Sequence, residues 1–501
     1  LETSLPDNSV VHPDSVRDAS QTATIPAIAD VGAVASAVVR RIPESLAWEY
    51  GALAIKVAAQ TLTVAFASAP HAGALRRIER ATGLRVEAAI APPDQIQKEL
   101  SRVFGRAAIV HAPSSDAPAV RAVDLLHERA FFERCSDIHI EPCAQGARVR
   151  FRIDGFLREV QSLEDPLAVS VVSRIKLLAG MDIADNRRPQ DGRYTIRVAE
   201  HAIDMRVSTV PARDGEKIVV RLLDHHARLP SLRELGMPEA IREAFAEVIA
   251  QSCGFIVVCG PTGSGKTTSL YAALAELNTP ERNVCTVEDP VEQAVQGATQ
   301  VQVNVKAGVT FASVLRSLLR QDPNVIMVGE MRDAETANIA VSAALSGQMV
   351  FTTLHSNDAP RCIERLGELD VARSPLAAGL TATLAQRLVR RLCPHCKQDV
   401  RIDAATAQRY GLDRERAYFE PRGCERCDGA GYHDRIGIFE LIVVDDVLRD
   451  AIASGVSSVA VAHLARQQGY RRMAEDCIDK LHAGITSIEE FARVAWWGGR
   501  S

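Results

Sequence analysis

Long apolar runs are missing from this 501-residue chain. No stretch reaches the ~18–20 residues that a helix needs to cross a bilayer, so no span is expected. A surplus of positive charge is missing too. Lys and Arg number 58 against 63 Asp and Glu, for a net charge of −5 and a pI near 6.3. Duplex-binding proteins are usually basic, so no nucleic acid is expected as a partner. The first thirty residues carry Glu2, Asp7, Asp14, Asp18 and Asp30 against Arg17, the reverse of a signal peptide's basic start. Eleven cysteines are too sparse for a disulfide scaffold, which predicts a reducing, cytoplasmic setting. There is no internal repeat. The rest is ordinary for a soluble globular protein, 47% hydrophobic and 24% charged, with room for about three or four domains.

Against that plain background one segment is sharply specific. Gly260-Pro261-Thr262-Gly263-Ser264-Gly265-Lys266-Thr267, followed by Thr268, fits the P-loop pattern G-x-x-x-x-G-K-[ST]. Its glycines let backbone N–H groups curl around phosphate oxygens. Lys266 adds a charge at the β- and γ-phosphates, and the Thr267 hydroxyl can sit on Mg²⁺. The apolar run Gly254–Cys259 reads as a buried strand and Thr267–Glu276 as a helix, whose N-terminal dipole would face the anion. A polyphosphate ligand such as ATP with Mg²⁺ is therefore expected.

Three further strand-end segments point to the same crevice, because ligands of parallel α/β sheets sit beyond the carboxyl ends of the strands. Thr286–Glu292 places Glu288 and Asp289 after an apolar run, as candidates for holding Mg²⁺ or its waters. Asn324–Glu330 has the shape of a Walker B segment, with Gly329 where an Asp usually stands and Glu330 as the acid left to orient or deprotonate water. Val350–His355 ends in His355, a candidate sensor of the γ-phosphate. Phosphoryl transfer also needs cations at the γ-phosphate. Arg187, Arg188, Arg193, Arg206, Arg213 and Arg221 are the supply upstream, most of them expected to be merely solvated.

Cys393-x-x-Cys396 and Cys424-x-x-Cys427 form two knuckles separated by 27 residues. Four thiolates suit tetrahedral Zn²⁺ and leave no open position, so a structural site is expected. His395 is a minor ligand candidate, and a redox dithiol is the competing reading. The other seven cysteines read as buried thiols.

Pattern along the chain divides it as follows. Residues 1–24 read as a disordered tail and 25–104 as a small α/β-like unit. Residues 105–119 are a linker, and 120–224 form an α+β domain with a hairpin turn at Asp154-Gly155. A short linker at 225–234 precedes an α/β core at 235–392 with a parallel sheet. The cysteine module takes 393–436 and a helical region 437–501, the arginine-rich stretch Arg187–Arg193 being read as a loop before a strand at Tyr194.

In this order, Ser136–Pro142, Arg188–Arg193, Met205–Ser208, the P-loop, Thr286–Glu292, Val328–Asp333, Thr352–Asp358 and Gln386–Cys393 resemble the secretion ATPase superfamily, most closely its type II secretion (GspE-like) group. The likeness covers roughly residues 120–500. It implies a RecA-like P-loop NTPase core preceded by a PAS-like α+β domain, a small N-terminal domain and a tetracysteine zinc module. It gives Lys266 and Thr267 to phosphate and Mg²⁺, makes Glu330 the catalytic carboxylate, lines the site with Glu288 and His355, and brings Arg206 and Arg221 to the phosphates. It also implies a homo-hexamer that drives secretion from the cytoplasmic face of the inner membrane. Residues 25–104 would dock on a GspL-like inner-membrane partner, and a GspF-like platform protein would follow. Type IV pilus assembly ATPases are the neighbouring group. Asp434 departs from the pattern, standing where a Gly is frequent.

Overall fold

The computed structural model describes residues 117–198, 201–224 and 228–495 without a break, and most of 26–103. The expected tail at 1–24 and nearly all of the expected linker at 105–119 lie outside the described residues. The chain separates into two compact units, one of residues 1–114 with 198–200 and one of the remainder.

The first unit has a three-stranded sheet of β1 (Leu53–Ala58), β2 (Thr61–Phe66) and β3 (Arg85–Ile90). β1 and β2 are antiparallel, and β3 joins parallel to β2 through the helix α1 (Ala72–Thr82). Leu53, Leu62, Val64 and Ile78 are buried in its core.

The second unit opens with helix α2 (Pro118–Phe132) and a six-stranded antiparallel sheet. Its strands are β4 (Asp137–Cys143), β5 (Gly146–Ile153), β6 (Phe156–Glu164), β7 (Gln190–Val198), β8 (His201–Ala212) and β9 (Gly215–Asp224), with helix α3 (Leu167–Leu178) after β6. The spatial order is β6-β5-β4-β9-β8-β7. Alternation sorts the faces. Ile138, Ile140, Val149, Phe151, Met205, Val207, Ile218 and Val220 pack on α2 and α3, so the residues between them, including most of this region's arginines, share the other face. Asp154 at φ 50° and Gly155 at φ 89° make the expected tight hairpin turn. β7 begins at Gln190, four residues before the expected start. The stretch read as a polar loop is half strand, because a sheet edge tolerates charge on its outer face. Gln190 pins the remainder, its amide donating to the Asp182 and Asp185 carbonyls at 2.9 and 2.7 Å. Buried Lys176 also donates to the Asp185 carbonyl at 2.8 Å and pairs with Glu216.

The expected linker at 225–234 is described from residue 228 onward, and that part is a fastened turn. The Glu234 carboxylate takes Arg228 at 2.8 Å and the Ser231 N–H and hydroxyl at 2.8 Å each.

Beyond it lies helix α4 (Glu239–Ile249) and a seven-stranded sheet with the order β12-β11-β13-β14-β10-β15-β18. These strands are β10 (Gly254–Cys259), β11 (Val284–Glu288), β12 (Thr299–Gln302), β13 (Val325–Val328), β14 (Met349–Leu354), β15 (Leu380–Leu392) and β18 (Tyr432–Val443). All neighbouring pairs are parallel except β15 and β18. Helices α5 (Lys266–Leu277), α6 (Phe311–Leu318), α7 (Ala334–Leu345), α8 (Ala359–Glu368) and α9 (Arg373–Gly379) cover it. The central strands are buried on both faces and feed two cores by strict alternation. Phe255, Val257, Ile326, Val328 and Val350 enter one core, while Ile256, Val258, Val325, Met327 and Phe351 enter the other.

The last strand corrects two expectations. β18 runs across the edge placed between 436 and 437, and the region read as helical from 437 starts as strand. Its pairing is with β15, about forty to sixty residues earlier, and no local pattern encodes a partner that distant. Helices α11 (Asp446–Ser454), α12 (Ser458–Gln467), α13 (Met473–His482) and α14 (Ile488–Val494) follow, and α10 (Ala404–Tyr410) lies in the insertion between β15 and β18 with the small strands β16 (Gln398–Val400) and β17 (Tyr418–Glu420).

Candidate nucleotide and metal sites

β10 ends at Cys259 and α5 starts at Lys266, so the glycine-rich turn lies between a buried strand and a helix N-terminus. The glycines at its two ends are sterically required. A Cβ on Gly260, at φ 152°, would come within 2.5 Å of both the Gln386 carbonyl and the Ser264 hydroxyl. Gly265 caps the helix at φ 86°, in the left-handed region. Gln386 of β15 is buried and steadies the loop by donating to the Ser264 carbonyl at 2.7 Å. The Lys266 ammonium donates to the carbonyls of Gly260 and Pro261 at 2.9 and 3.0 Å. Partial burial pulls its pKa down, against the opposing pull of Glu330 and Glu292.

The order β11-β13-β14-β10 puts the ends of four parallel strands side by side, which brings the expected acids and His355 to one rim. Glu330 lies two residues past β13. Gly329 N–H bonds to the Val287 carbonyl at 2.8 Å, and the Thr353 hydroxyl holds the Gly329 carbonyl at 2.7 Å. A Cβ on Gly329 would sit 3.3 Å from the Glu288 Cα. The glycine in place of an Asp thus lets β11 and β13 close up. Glu330 ion-pairs with Arg332, which also reaches Asp289 at 3.5 Å. His355 is exposed immediately after β14.

Glu288 differs from the sequence expectation in its surroundings. It is 2% exposed, and three donors occupy its carboxylate: Tyr271 from α5, Thr286 at 2.6 Å and Gln300 at 3.0 Å. The Tyr271 oxygen in turn accepts the N–H groups of Glu292 and Gln293 at 3.2 and 3.3 Å. Burial and the Glu288 charge push the Tyr271 phenol up. Glu292, the end of its motif in the sequence, is pushed up by burial and by the Glu288 charge, against the opposing pull of Thr267, Arg221 and Arg206. Tyr271→Phe is expected to cost about 1–3 kcal/mol of stability, by leaving a buried carboxylate short of a donor. Chemical denaturation checks this, and an unchanged midpoint would assign Glu288 no anchoring role.

The arginines complete the rim. Arg206 and Arg221 are cross-strand partners, Arg221 faces Asp137, and Asp137 faces Arg152, making a row across β8, β9, β4 and β5. Arg221 donates to Asp137 at 3.0 Å. Two like charges directly opposite each other on a sheet repel, so the pair calls for anions. Asp137 is one, and Glu292 lies within the electrostatic reach of both guanidinium groups. The six-stranded sheet therefore turns this pair toward Glu292. Arg187, Arg188 and Arg213 are exposed, Arg213 paired with its neighbour Asp214.

The four cysteines meet as expected. Sγ separations are 3.9 Å for Cys393–Cys424, 3.8 Å for Cys396–Cys427 and 3.7 Å for Cys424–Cys427, and all four sulfurs lie within 4.8 Å of one another. Zn–S bonds of about 2.3 Å at tetrahedral angles need sulfurs about 3.8 Å apart. The N–H groups of Cys424 and Gly431 point at the Cys427 sulfur, both at 3.2 Å. The set fits Zn²⁺. His395 is turned to Arg426 at 2.8–3.0 Å instead of joining the cluster.

The sequence model of the family "Type II/IV secretion system protein" matches residues 112–493, and that of the MshEN domain matches residues 29–109. Type II secretion system protein E of Dickeya dadantii is 47% identical over 381 residues, 76% of this chain and 76% of that one. The type IV pilus assembly ATPase PilB of Thermus thermophilus is 40% identical over 475 residues, 90% of this chain and 53% of that one. Among solved structures, the ATPase DotB of Legionella pneumophila superposes with a TM-score of 0.57 at 22% identity, covering 77% of this chain and 98% of that one, which shows a common fold. With a P-loop on a parallel sheet, acids at the neighbouring strand ends and a tetracysteine insertion, the chain belongs to the type II/IV secretion system protein family and carries its RecA-like NTPase core.

Proposed function

We propose that this chain binds ATP and Mg²⁺ at Gly260–Thr268 and hydrolyses the γ-phosphate bond to power type II secretion, through assembly of a pseudopilus and export of folded proteins. The observation that carries the reading is the glycine-rich turn with Lys266 and Thr267 between β10 and α5, at the rim where the parallel strands β11, β13 and β14 also end and Glu330 and His355 follow. Lys266 and the loop N–H groups hold the phosphates, Thr267 ligates Mg²⁺, and Glu330 takes the proton of the attacking water. Glu288 positions α5 through Tyr271, His355 senses the terminal phosphate, and the arginine pair neutralises charge that develops on it. Zn²⁺ on Cys393, Cys396, Cys424 and Cys427 is structural.

The working form in this reading is a homo-hexamer at the cytoplasmic face of the inner membrane. Residues 25–104 form the docking domain for a GspL-like partner, with a GspF-like platform protein beside it and no nucleic acid involved. Oligomerisation sets the rate, because a cation clamp shared between domains or subunits is complete only in the assembly. Phosphate release per subunit is expected to rise at least about tenfold on enforced assembly; a rate independent of assembly would contradict the ring. Single-stranded DNA is expected to leave the rate unchanged, and strong salt-sensitive stimulation would favour a nucleic-acid motor instead.

A pilus assembly ATPase is the second reading, favoured by the PilB match, which spans 90% of this chain. Capture of inner-membrane proteins by the full chain, compared with a chain lacking residues 1–104, separates the two. Recovery of a secretion-type partner supports the first reading, and recovery of a pilus platform the second.

A further inference from the structure

The six-stranded and seven-stranded sheets meet at a second place, the tip of the β5–β6 hairpin. Phe156 opens β6 directly after the turn. The Arg390 guanidinium lies over its ring, with Cζ 3.8 Å from the centroid, and the same Cζ is 3.7 Å from the centroid of Tyr432. Both rings cannot share one side of a planar group at those distances, so Arg390 is sandwiched between them. Arg493 approaches Phe156 as well, at 4.9 Å.

The receiving side is built independently of the tip. Fully buried Glu490 takes the Arg390 N–H and Nε at 2.8 and 2.9 Å and the Arg493 Nε at 2.9 Å. The Tyr432 hydroxyl meets Ser487 at 2.7 Å. A second contact lies beside the first. Asp434, at φ 72°, aims its N–H at the Asp154 carboxylate, 3.0 Å away. Arg134 stands 3.8 Å from Asp154 and 4.0 Å from Asp434. Asp is among the few residues that tolerate this backbone region.

The tip is also wired to the arginine row. Arg152 donates to the Gly155 carbonyl at 3.0 Å, and its Nε lies 3.5 Å from Asp137, which holds Arg221. One strand, β5, therefore links the docked tip to the guanidinium pair that faces Glu292. The contact is one ring among guanidinium groups with a few polar bonds, and contacts of this size and polarity between domains commonly open and close.

We propose that Asp154–Phe156 is a latch: seated on Arg390, Tyr432 and Asp434 it holds the six-stranded sheet where Arg206 and Arg221 reach the nucleotide, and unseated it lets that pair withdraw. The latch rests on the reading of the P-loop as a triphosphate site. It is tested on the full chain by hydrogen exchange and by titration with a fluorescent ATP analogue and Mg²⁺. In Phe156→Ala, exchange is expected to accelerate about tenfold at residues 154–158 and at 432–436, with α5 unchanged. The apparent Kd for the analogue should rise about fivefold, because the competent arrangement is less populated. Phe156→Tyr keeps the ring and should behave as wild type. Asp154→Asn keeps a turn-forming residue before Gly155 and should shift both readouts the same way by a smaller amount. Unchanged exchange at 432–436 in Phe156→Ala, with unchanged affinity, would overturn the latch. So would general loss of protection across the six-stranded sheet in Phe156→Ala with Asp154→Asn indistinguishable from wild type. A wild-type chain that fails to bind the analogue would instead sink the nucleotide reading, leaving the exchange readout interpretable.

Discussion

Lys266→Ala and Glu330→Gln are each expected to reduce phosphate release about a hundred- to a thousandfold, for different reasons that binding data separate. Lys266 rests on the Gly260 and Pro261 carbonyls, two neutral acceptors, and is partly withdrawn from water. A triphosphate offers it an anion instead, so the lysine's gain on turning to the ligand is large. Alanine forfeits that gain, and nucleotide affinity should fall along with the rate. Glu330→Gln is nearly isosteric and can still accept a bond from Arg332, so nucleotide should bind close to normally. An amide cannot take the proton of the attacking water, and only the chemical step should be lost. Equal rates in wild type and both variants would remove the claim of hydrolysis.

The other large effect concerns the metal. Cys427→Ser is expected to reduce bound zinc from about one per chain to a small fraction of that, since three thiolates and a hydroxyl bind far more weakly than four thiolates. The Cys427 sulfur also receives the Cys424 and Gly431 N–H groups. An oxygen of smaller radius meets neither as well, so the knuckle loosens even before metal is considered. Proteolysis should then cut within residues 393–431 while β10, β11, β13 and β14 stay protected, because those strands are buried on both faces by separate cores. Elemental analysis and limited digestion report the two halves. Wild-type protein without zinc would refute the metal assignment.

The parts legible in the sequence were those governed by local rules. Gly254–Cys259 is a strand at its expected limits because a short apolar run between a loop and a glycine-rich turn has few alternatives. The Asp154-Gly155 turn was readable because both residues accept positive φ. The meeting of Glu330, His355 and the P-loop followed from strand-end placement alone. What escaped depended on distant pairing. β18 looks like the start of a helical tail until β15 is beside it, and the first four residues of β7 look like loop because a sheet edge carries charge. At the site, Glu288 and Glu292 share one motif, and spacing could not tell which acid turns inward. Tyr271 decides it from another element, by occupying Glu288 and presenting its oxygen to the Glu292 N–H. Gln386 and Arg332 were missed as well, although both sit in motifs that had been singled out.

β15 and β18 run antiparallel, with Leu392 opposite Tyr432, so the chain leaves and re-enters the sheet at neighbouring points. Everything from 393 to 431 is thus an appendix on a hairpin. A few turn residues joining Leu392 to Tyr432 would leave the strand order untouched. Such an insertion can change in length at its tip without re-threading the sheet, while Ile402, Leu412 and Tyr418 bind its base into the same core as Leu481 and Phe491.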